Sequence, residues 1–148
     1  MNKKQLQITV GKRVHQGKIP AASGMTIVDN RLFVVGDNSP LLFELDLQLN
    51  LVRSSVIREY PLDADGLIKK KIKPDFEAMA SFEWKKQNWL LIIGSGSKAD
   101  VREWAFMLST SYPAVRYEKK ISTLYQQFYK MGQLHGKQEL NIEGLAVA

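Results

Sequence analysis

The sequence contains no cysteine and only two histidines, His15 and His135, among its 148 residues. The absence of cysteine excludes disulfide frameworks, zinc ribbons, iron–sulfur clusters and cysteine nucleophiles. Two histidines alone make an all-protein zinc site an unpromising hypothesis. A Gly-x-Ser-x-Gly motif, which exposes the nucleophile of many serine hydrolases, is also missing, so serine hydrolysis is not expected.

Long hydrophobic runs are missing too. The best one covers residues 89–93 and ends at Gly94, whereas a membrane helix needs about 18 apolar residues. Residues 1–10 alternate apolar and polar side chains and lack the continuous apolar core of a signal peptide. We therefore expect no membrane association and a cytoplasmic chain as written, or a periplasmic one if a signal has been removed.

The net charge of +6 comes from two short basic segments. Residues 1–20 hold five cations and no acid, and a second cluster contains Lys69, Lys70, Lys71 and Lys73. Nucleic-acid binding usually needs stacking aromatics within such a stretch, and neither segment contains one. Nucleic acid is thus not the expected partner, and the alternatives are solvated loops or, for residues 69–73, a platform for protein interactions.

A recurring pattern of apolar runs and turns predicts the fold. Related segments begin at Ala22, Phe76 and Ile142, and the first two are each followed by four apolar runs separated by turn residues. The predicted strands are 25–28, 32–35, 41–45 and 51–57, then 79–84, 89–93, 101–108 and 115–121. Four short antiparallel strands per unit are typical of a propeller blade. The prediction is an all-β partial β-propeller with two four-stranded antiparallel blades, the start of a third, and one inserted α-helix near 123–134.

The segments divide one incomplete propeller domain, residues 1–148. We expect a closing strand (residues 5–10) and loop in 1–20, blade one in 21–60, a charged connection in 61–74, blade two in 75–121, a helical insertion in 122–138 that stops near Gly136, and the start of blade three in 139–148. The connection is either functional or a disordered surface insertion. A four-bladed ring needs about 160 to 200 residues, so we expect a fragment or self-association through open blade edges.

Five motifs carry a family resemblance: Ala22-Ser23-Gly24, residues 33–40, residues 73–79, residues 94–98 with Arg102, and residues 139–144. Together they resemble an uncharacterised family of bacterial β-propeller proteins over residues 20–148, corresponding to its N-terminal half. The chain is more distantly similar to phytase-like and esterase-like propellers, some of which hold metal ions with acidic groups in the central channel. The resemblance implies a fold and leaves the activity, and whether the protein is an enzyme, open.

Residues at the start of a blade's first strand lie beside the central channel, so Ser23, Glu77 and Glu143 are expected to share one space. Glu77 and Glu143, with Asp75 and Asn141 nearby, offer the oxygen ligands that calcium prefers. The alternative is that each glutamate stabilises the start of its strand. Residues 94–98 lack P-loop spacing and are interpreted as a strand-joining turn, but Lys98 and Arg102 are expected beside Glu77.

These observations favour a propeller that binds a small ligand or a cation at its channel face. The alternatives are a metal-dependent hydrolase of the phytase-like or esterase-like kind, without identified catalytic residues, and an interaction platform. The candidate ligand-binding residues are Asp75, Glu77, Lys98, Arg102, Asn141 and Glu143, and the candidate metal ligands are Glu77 and Glu143, with calcium as the possible cofactor.

Overall fold

Eight strands form two antiparallel sheets in the computed structural model, which describes residues 17, 19–135 and 138–147. The first sheet contains β1 (Ala22–Val28), β2 (Arg31–Gly36), β3 (Leu41–Asp46) and β4 (Leu51–Val56). The second contains β5 (Phe76–Trp84), β6 (Gln87–Gly94), β7 (Trp104–Ser109) and β8 (Arg116–Lys120). One helix, α1, covers Ser122–Met131. Each sheet follows chain order, which confirms the predicted all-β class with two four-stranded antiparallel sheets and one helix.

Two-residue turns join the first two strands of each sheet. Asp29 and Asn30 connect β1 to β2, and Lys85 and Lys86 connect β5 to β6; all four have positive φ. Positive φ at both central residues defines the type I′ turn, whose twist matches that of the flanking strands. The predicted four-residue turn at 85–88 is therefore shorter, and its last two residues belong to β6.

The main core lies between the two sheets. Its buried apolar side chains are Val28, Phe33, Val35, Leu42, Ile57, Phe76, Met79, Leu90, Ile92, Phe106 and Leu108. The first strands of the two sheets lie beside each other, and the Thr26 and Ser81 hydroxyls are 3.1 Å apart between them. Adjacent first strands are compatible with a partial propeller-like arrangement.

The first strands of the two sheets also begin alike. Ala21 precedes β1 with φ 43° and Asp75 precedes β5 with φ 58°. A register shift follows in each strand, leaving Ser23 and Glu77 as the bulged residues. In each sheet the paired strand, β2 or β6, ends in a glycine. A Cβ on that glycine would overlap the carbonyl oxygen of Pro20 or Pro74, the proline that precedes the positive-φ residue. The backbone therefore places Ser23 and Glu77 at matching positions.

The charged connection between the sheets packs against the first sheet. Leu62 and Ile68 form a β-bridge, and the Asp63 carboxylate accepts hydrogen bonds from two backbone amides of the turn between them. Ile68 is buried, and its N–H donates to the carbonyl of Asn38 at 2.8 Å. Residues 62–68 are therefore held to the loop after β2 by a backbone hydrogen bond.

Helix α1 begins and ends earlier than predicted. Gly132 ends it by donating its N–H to the carbonyl of Phe128, and Gln133 then adopts a left-handed conformation with φ 51°. The nearer glycine thus takes the role predicted for Gly136, which lies outside the described residues. The buried Tyr125 anchors the helix by donating its hydroxyl to the carbonyl of Gly94 at 2.5 Å.

The two ends of the sequence leave part of the prediction untested. Residues 1–16, with the proposed closing strand and His15, lie outside the described part of the chain. Residues 138–147 form no strand, although the Ile142 N–H donates to the carbonyl of Ser95 at 2.9 Å. None of the described helical residues makes a segment long and apolar enough to cross a membrane.

Candidate functional site

A group of charged side chains collects where β1 and β5 begin. The loop after β2 supplies Asp37, the segment entering β5 supplies Lys73 and Asp75, β5 itself supplies Glu77, and the loop before β7 supplies Arg102. We call these five residues the inner-end cluster. Both sheets contribute, because the adjacent first strands bring their entrance loops together.

Asp75 is the most heavily bonded member of the inner-end cluster. Lys73 Nζ lies 2.7 Å from Oδ1, and Arg102 Nη1 lies 2.7 Å from Oδ2. The Ser95 hydroxyl also donates to Oδ2 at 2.8 Å. Burial alone would raise the pKa of this carboxyl, but the bonds from Lys73 and Ser95 and the charge of Arg102 lower it overall. Asp75 is therefore a buried, ionised carboxylate whose two oxygens are both occupied.

Lys73 lies between two carboxylates from different sheets. Its ammonium is 2.6 Å from Asp37 Oδ2 as well as 2.7 Å from Asp75. Burial opposes its charge, yet the two hydrogen bonds raise the pKa of the amine overall. The ammonium thus acts as an internal cation. It differs from the other members of the predicted lysine cluster, since Lys69, Lys70 and Lys71 are exposed.

Glu77 has a different environment. Its carboxylate, with those of Asp37 and Asp75, forms a set of three whose ligand oxygens all lie within 4.8 Å of one another. Within the described part of the chain, the Glu77 carboxylate makes no hydrogen bond or ion pair. Burial raises its pKa, and the negative charges of Asp75, Glu143 and Asp37 raise it further, against the opposing charge of Lys73.

Asp37 also keeps one oxygen unused. Its Oδ2 accepts from Lys73, whereas its Oδ1 is buried without a hydrogen-bond partner among the described residues. A buried carboxylate oxygen without a donor is costly. Together with Glu77, it leaves uncommitted negative oxygens in a space already crowded with negative charge.

Of the remaining predicted site residues, one lies close to the inner-end cluster and others bond elsewhere. Glu143 is exposed but close enough to raise the pKa of Glu77, and the Asn141 amide donates to its carboxylate. Lys98 instead donates to the carbonyl of Lys71 at 3.1 Å. Ser23 donates to the carbonyl of Phe76 and links the two first strands.

The turn after β6 supports Arg102. Arg102 Nη1 donates to the Ser97 hydroxyl at 2.5 Å, and the Ser95 and Ser97 hydroxyls are 2.8 Å apart. Gly96 takes φ 75°, and the Gly96 N–H donates to the carbonyl of Arg102. This segment is a strand-joining turn held by its own backbone and serines, as the sequence indicated.

The structure thus brings together Asp75, Glu77 and Arg102 as predicted candidates and adds Asp37, Lys73 and Ser95, which the sequence interpretation did not include. A signal for Asp37 existed. It follows the glycine that ends β2, just as Ser95 follows the glycine that ends β6, and both side chains bond within the same network.

Comparison with known proteins supplies a family and no activity. No curated protein and no solved structure matches the chain significantly. One family model matches residues 18–148, almost the whole sequence. This protein therefore belongs to a family of unknown function (DUF6929).

Proposed function

We propose that this protein is a binding module that takes a small cation, or a small ligand carrying a cationic group, at the inner-end cluster. Glu77 is the principal ligand, the free oxygen of Asp37 the second, and Glu143 completes the site from the third segment. One observation carries the proposal: three carboxylates converge within 4.8 Å, and internal cations engage only two of them.

The balance of charge favours a cation over an anion. Asp37, Asp75 and Glu77 contribute three negative charges, against the positive charges of Lys73 and Arg102. Both positive groups already contact carboxylates, so neither offers a free charge to an anion. The excess is negative and lies at Glu77, where an added cation would relieve the repulsion that raises its pKa.

Calcium is the appropriate probe because it accepts six to eight oxygens in flexible geometry. Carboxylate oxygens of Glu77, Asp37 and Glu143, with the Asn141 side-chain oxygen and water, offer donors of this kind. Asp75 would stay bonded to Lys73 and Arg102, and its negative charge would contribute to the electrostatic potential of the site.

The two alternative functions have weaker support. A metal-dependent hydrolase requires Asp75 as a metal ligand beside Glu77 and Glu143, yet both Asp75 oxygens are bonded to cationic groups. An interaction platform at residues 69–73 rests on the exposure of three lysines, while the fourth, Lys73, belongs to the inner-end cluster. Binding at Glu77 uses the residues that the structure leaves uncommitted.

Isothermal titration of the full chain with calcium chloride tests the proposal. We expect saturable binding to the wild type, loss of at least tenfold in affinity in Glu77→Gln, and no change in Glu83→Gln. Glu83 is the matched control because it lies on the same strand and is exposed. Absence of binding to the wild type would overturn the cation site, and equal binding by Glu77→Gln would overturn the role of Glu77.

A second variant tests the role of Lys73 as an internal cation. Lys73→Gln removes the ammonium that competes for the Asp37 carboxylate, so calcium should bind more tightly than to the wild type. Circular dichroism checks that the variant folds. Weaker calcium binding by a folded Lys73→Gln protein would contradict the proposed arrangement, because the lysine would then support the site instead of competing for it.

A further inference from the structure

An open cavity lies between the loop after β2 and the connection that joins the two sheets. It measures about 240 Å³, and we call it the Asn38 cavity. Cavities that hold drug-sized ligands measure about 300 to 1,000 Å³, so this one suits a smaller molecule. It is lined by Asn38, Asp63, Leu67, Ile68, Lys70 and Lys73.

Backbone hydrogen bonds hold the walls of the Asn38 cavity in place. The Ile68 N–H donates to the carbonyl of Asn38 at 2.8 Å, and the Asp63 N–H donates to the carbonyl of Leu67 at 2.9 Å. The Asp63 Oδ1 accepts the backbone N–H groups of Asp65 and Leu67, each at 3.0 Å. Because the walls are already ordered, a ligand would lose little free energy to ordering the chain.

Asn38 contributes an acceptor that the chain does not use. Its Oδ1 is buried, and no donor within the described residues forms a hydrogen bond with it. A buried amide oxygen without a donor is costly, because it has lost its hydrogen bonds to water. A ligand N–H group placed beside Asn38 would supply the missing donor.

Asp63 adds a negative charge to the same cavity. Its Oδ1 is committed to the backbone of the connection, whereas none of the hydrogen bonds of the described residues uses its Oδ2. Asn38 and Asp63 thus offer two acceptors and one negative charge. An ammonium group matches them, because it brings three N–H donors and a positive charge.

The two lysines of the lining differ in their commitments. Lys73 Nζ already contacts the carboxylates of Asp37 and Asp75. Lys70 is exposed and forms no ion pair with any described residue. Its ammonium is therefore available to a ligand carboxylate. A simple cation would be repelled by Lys70 and a simple anion by Asp63, so the cavity favours a ligand that carries both charges.

We propose that the Asn38 cavity binds a small zwitterion of the α-amino acid class with a short apolar side chain. The ligand ammonium donates to Asn38 Oδ1 and Asp63 Oδ2, the ligand carboxylate accepts from Lys70, and the ligand side chain lies against Leu67. None of the proposed calcium ligands lines this cavity. The inference therefore goes beyond the cation site and does not depend on it.

Isothermal titration of the full chain with L-alanine tests the proposal. Propionate lacks the ammonium group of L-alanine, and ethylamine lacks its carboxylate, so the two are matched probes. We expect saturable binding of L-alanine and at least tenfold weaker binding of each probe. Absence of L-alanine binding would overturn the proposal, with water as the occupant of the cavity. Propionate or ethylamine binding as tightly as L-alanine would also overturn it, because one charged end would then suffice.

Two lysine variants test the location of the site. Lys70→Ala should bind L-alanine at least tenfold more weakly than the wild type, and it should fold because Lys70 is exposed. Lys69→Ala is the matched control, since Lys69 is also exposed but does not line the cavity, and it should bind like the wild type. Unchanged binding by Lys70→Ala, or an equal loss in Lys69→Ala, would overturn the assignment. Loss of calcium binding in Lys70→Ala would overturn the separation of the two sites.

Discussion

Asp75 shows how one backbone position can organise a site. Its φ of 58° is uncommon for a residue other than glycine, although aspartate tolerates the left-handed region better than most. This backbone conformation places its carboxylate between Lys73 and Arg102, with Ser95 as a third donor. We therefore interpret Asp75 as the structural centre of the inner-end cluster and Glu77 as the residue proposed to bind.

Substituting Asp75 should destabilise the fold. Asp75→Asn keeps the size of the side chain but leaves Lys73 and Arg102 without their shared counter-charge, and we expect a loss of about 2 kcal/mol in the free energy of unfolding. Urea denaturation measures it. Asp65→Asn, at an exposed position of the connection, should change stability by less than about 0.5 kcal/mol. An equally small effect of Asp75→Asn would contradict a structural role.

The pH dependence of Asp75 follows from its lowered pKa. The folded pKa lies below the ordinary value of 3.8, so the carboxylate stabilises the fold above that pH and loses this contribution as the pH falls through the folded pKa. The difference in stability between the wild type and Asp75→Asn should therefore shrink in acid below about pH 4.

Glu77 should show the opposite sign. Its folded pKa is raised above the ordinary 4.5, so its ionised form opposes folding once the pH exceeds the raised value, and this effect disappears below pH 4.5. Glu77→Gln should consequently be more stable than the wild type at pH 7, by roughly 0.5 kcal/mol. Thermal unfolding in calcium-free buffer at pH 7 and pH 4 measures the difference, and a variant less stable than the wild type at pH 7 would contradict this explanation.

The sequence could single out Glu77 and Glu143 as candidates because each occupies the same place in a recurring segment. The sequence could not predict that Lys73 bridges two carboxylates while Lys69, Lys70 and Lys71 stay exposed. That difference depends on the path of the chain from residue 61 to residue 74. The missing partner, Asp37, lies in the loop after β2 of the other sheet, and the packing of β1 against β5 brings the two segments together.

At the scale of elements, the strands were predictable where apolar runs met clear turn residues. β2 and β6 coincide closely with the predicted runs because central strands are buried on both faces. The start of β5 was harder to predict from the sequence. Phe76 to Ala78 belong to the strand, but the bulge at Glu77 interrupts the alternation that would indicate it.

The turn between β5 and β6 offers a test of local geometry. Lys86 has φ 59°, a conformation that costs L-residues roughly 1 kcal/mol and glycine little. Lys86→Gly should raise the free energy of unfolding by about 0.5 kcal/mol. Lys119→Gly, in the exposed strand β8, is the matched control and should lower it. Urea denaturation of both variants checks the pair, and destabilisation by Lys86→Gly would contradict a type I′ turn.

At the scale of the whole molecule, the described residues form two packed sheets that share a charged end. On the side of the first sheet away from the second, Val34, Phe43 and Leu45 are buried, but Met25 and Ile27 are exposed. Their exposure was not predictable from the sequence, because the same apolar pattern is buried in the second sheet.

The proposed cation site would draw its ligands from the loop after β2, from β5 and from the C-terminal segment. Titration of the Glu77 carboxyl carbon by nuclear magnetic resonance, with and without calcium chloride, tests it most directly. Comparison with the spectrum of Glu77→Gln identifies the signal. We predict a pKa above the ordinary 4.5 in the free protein and a lower one when calcium is present. A free-protein pKa at or below 4.5, or one that calcium leaves unchanged, would contradict the proposed site.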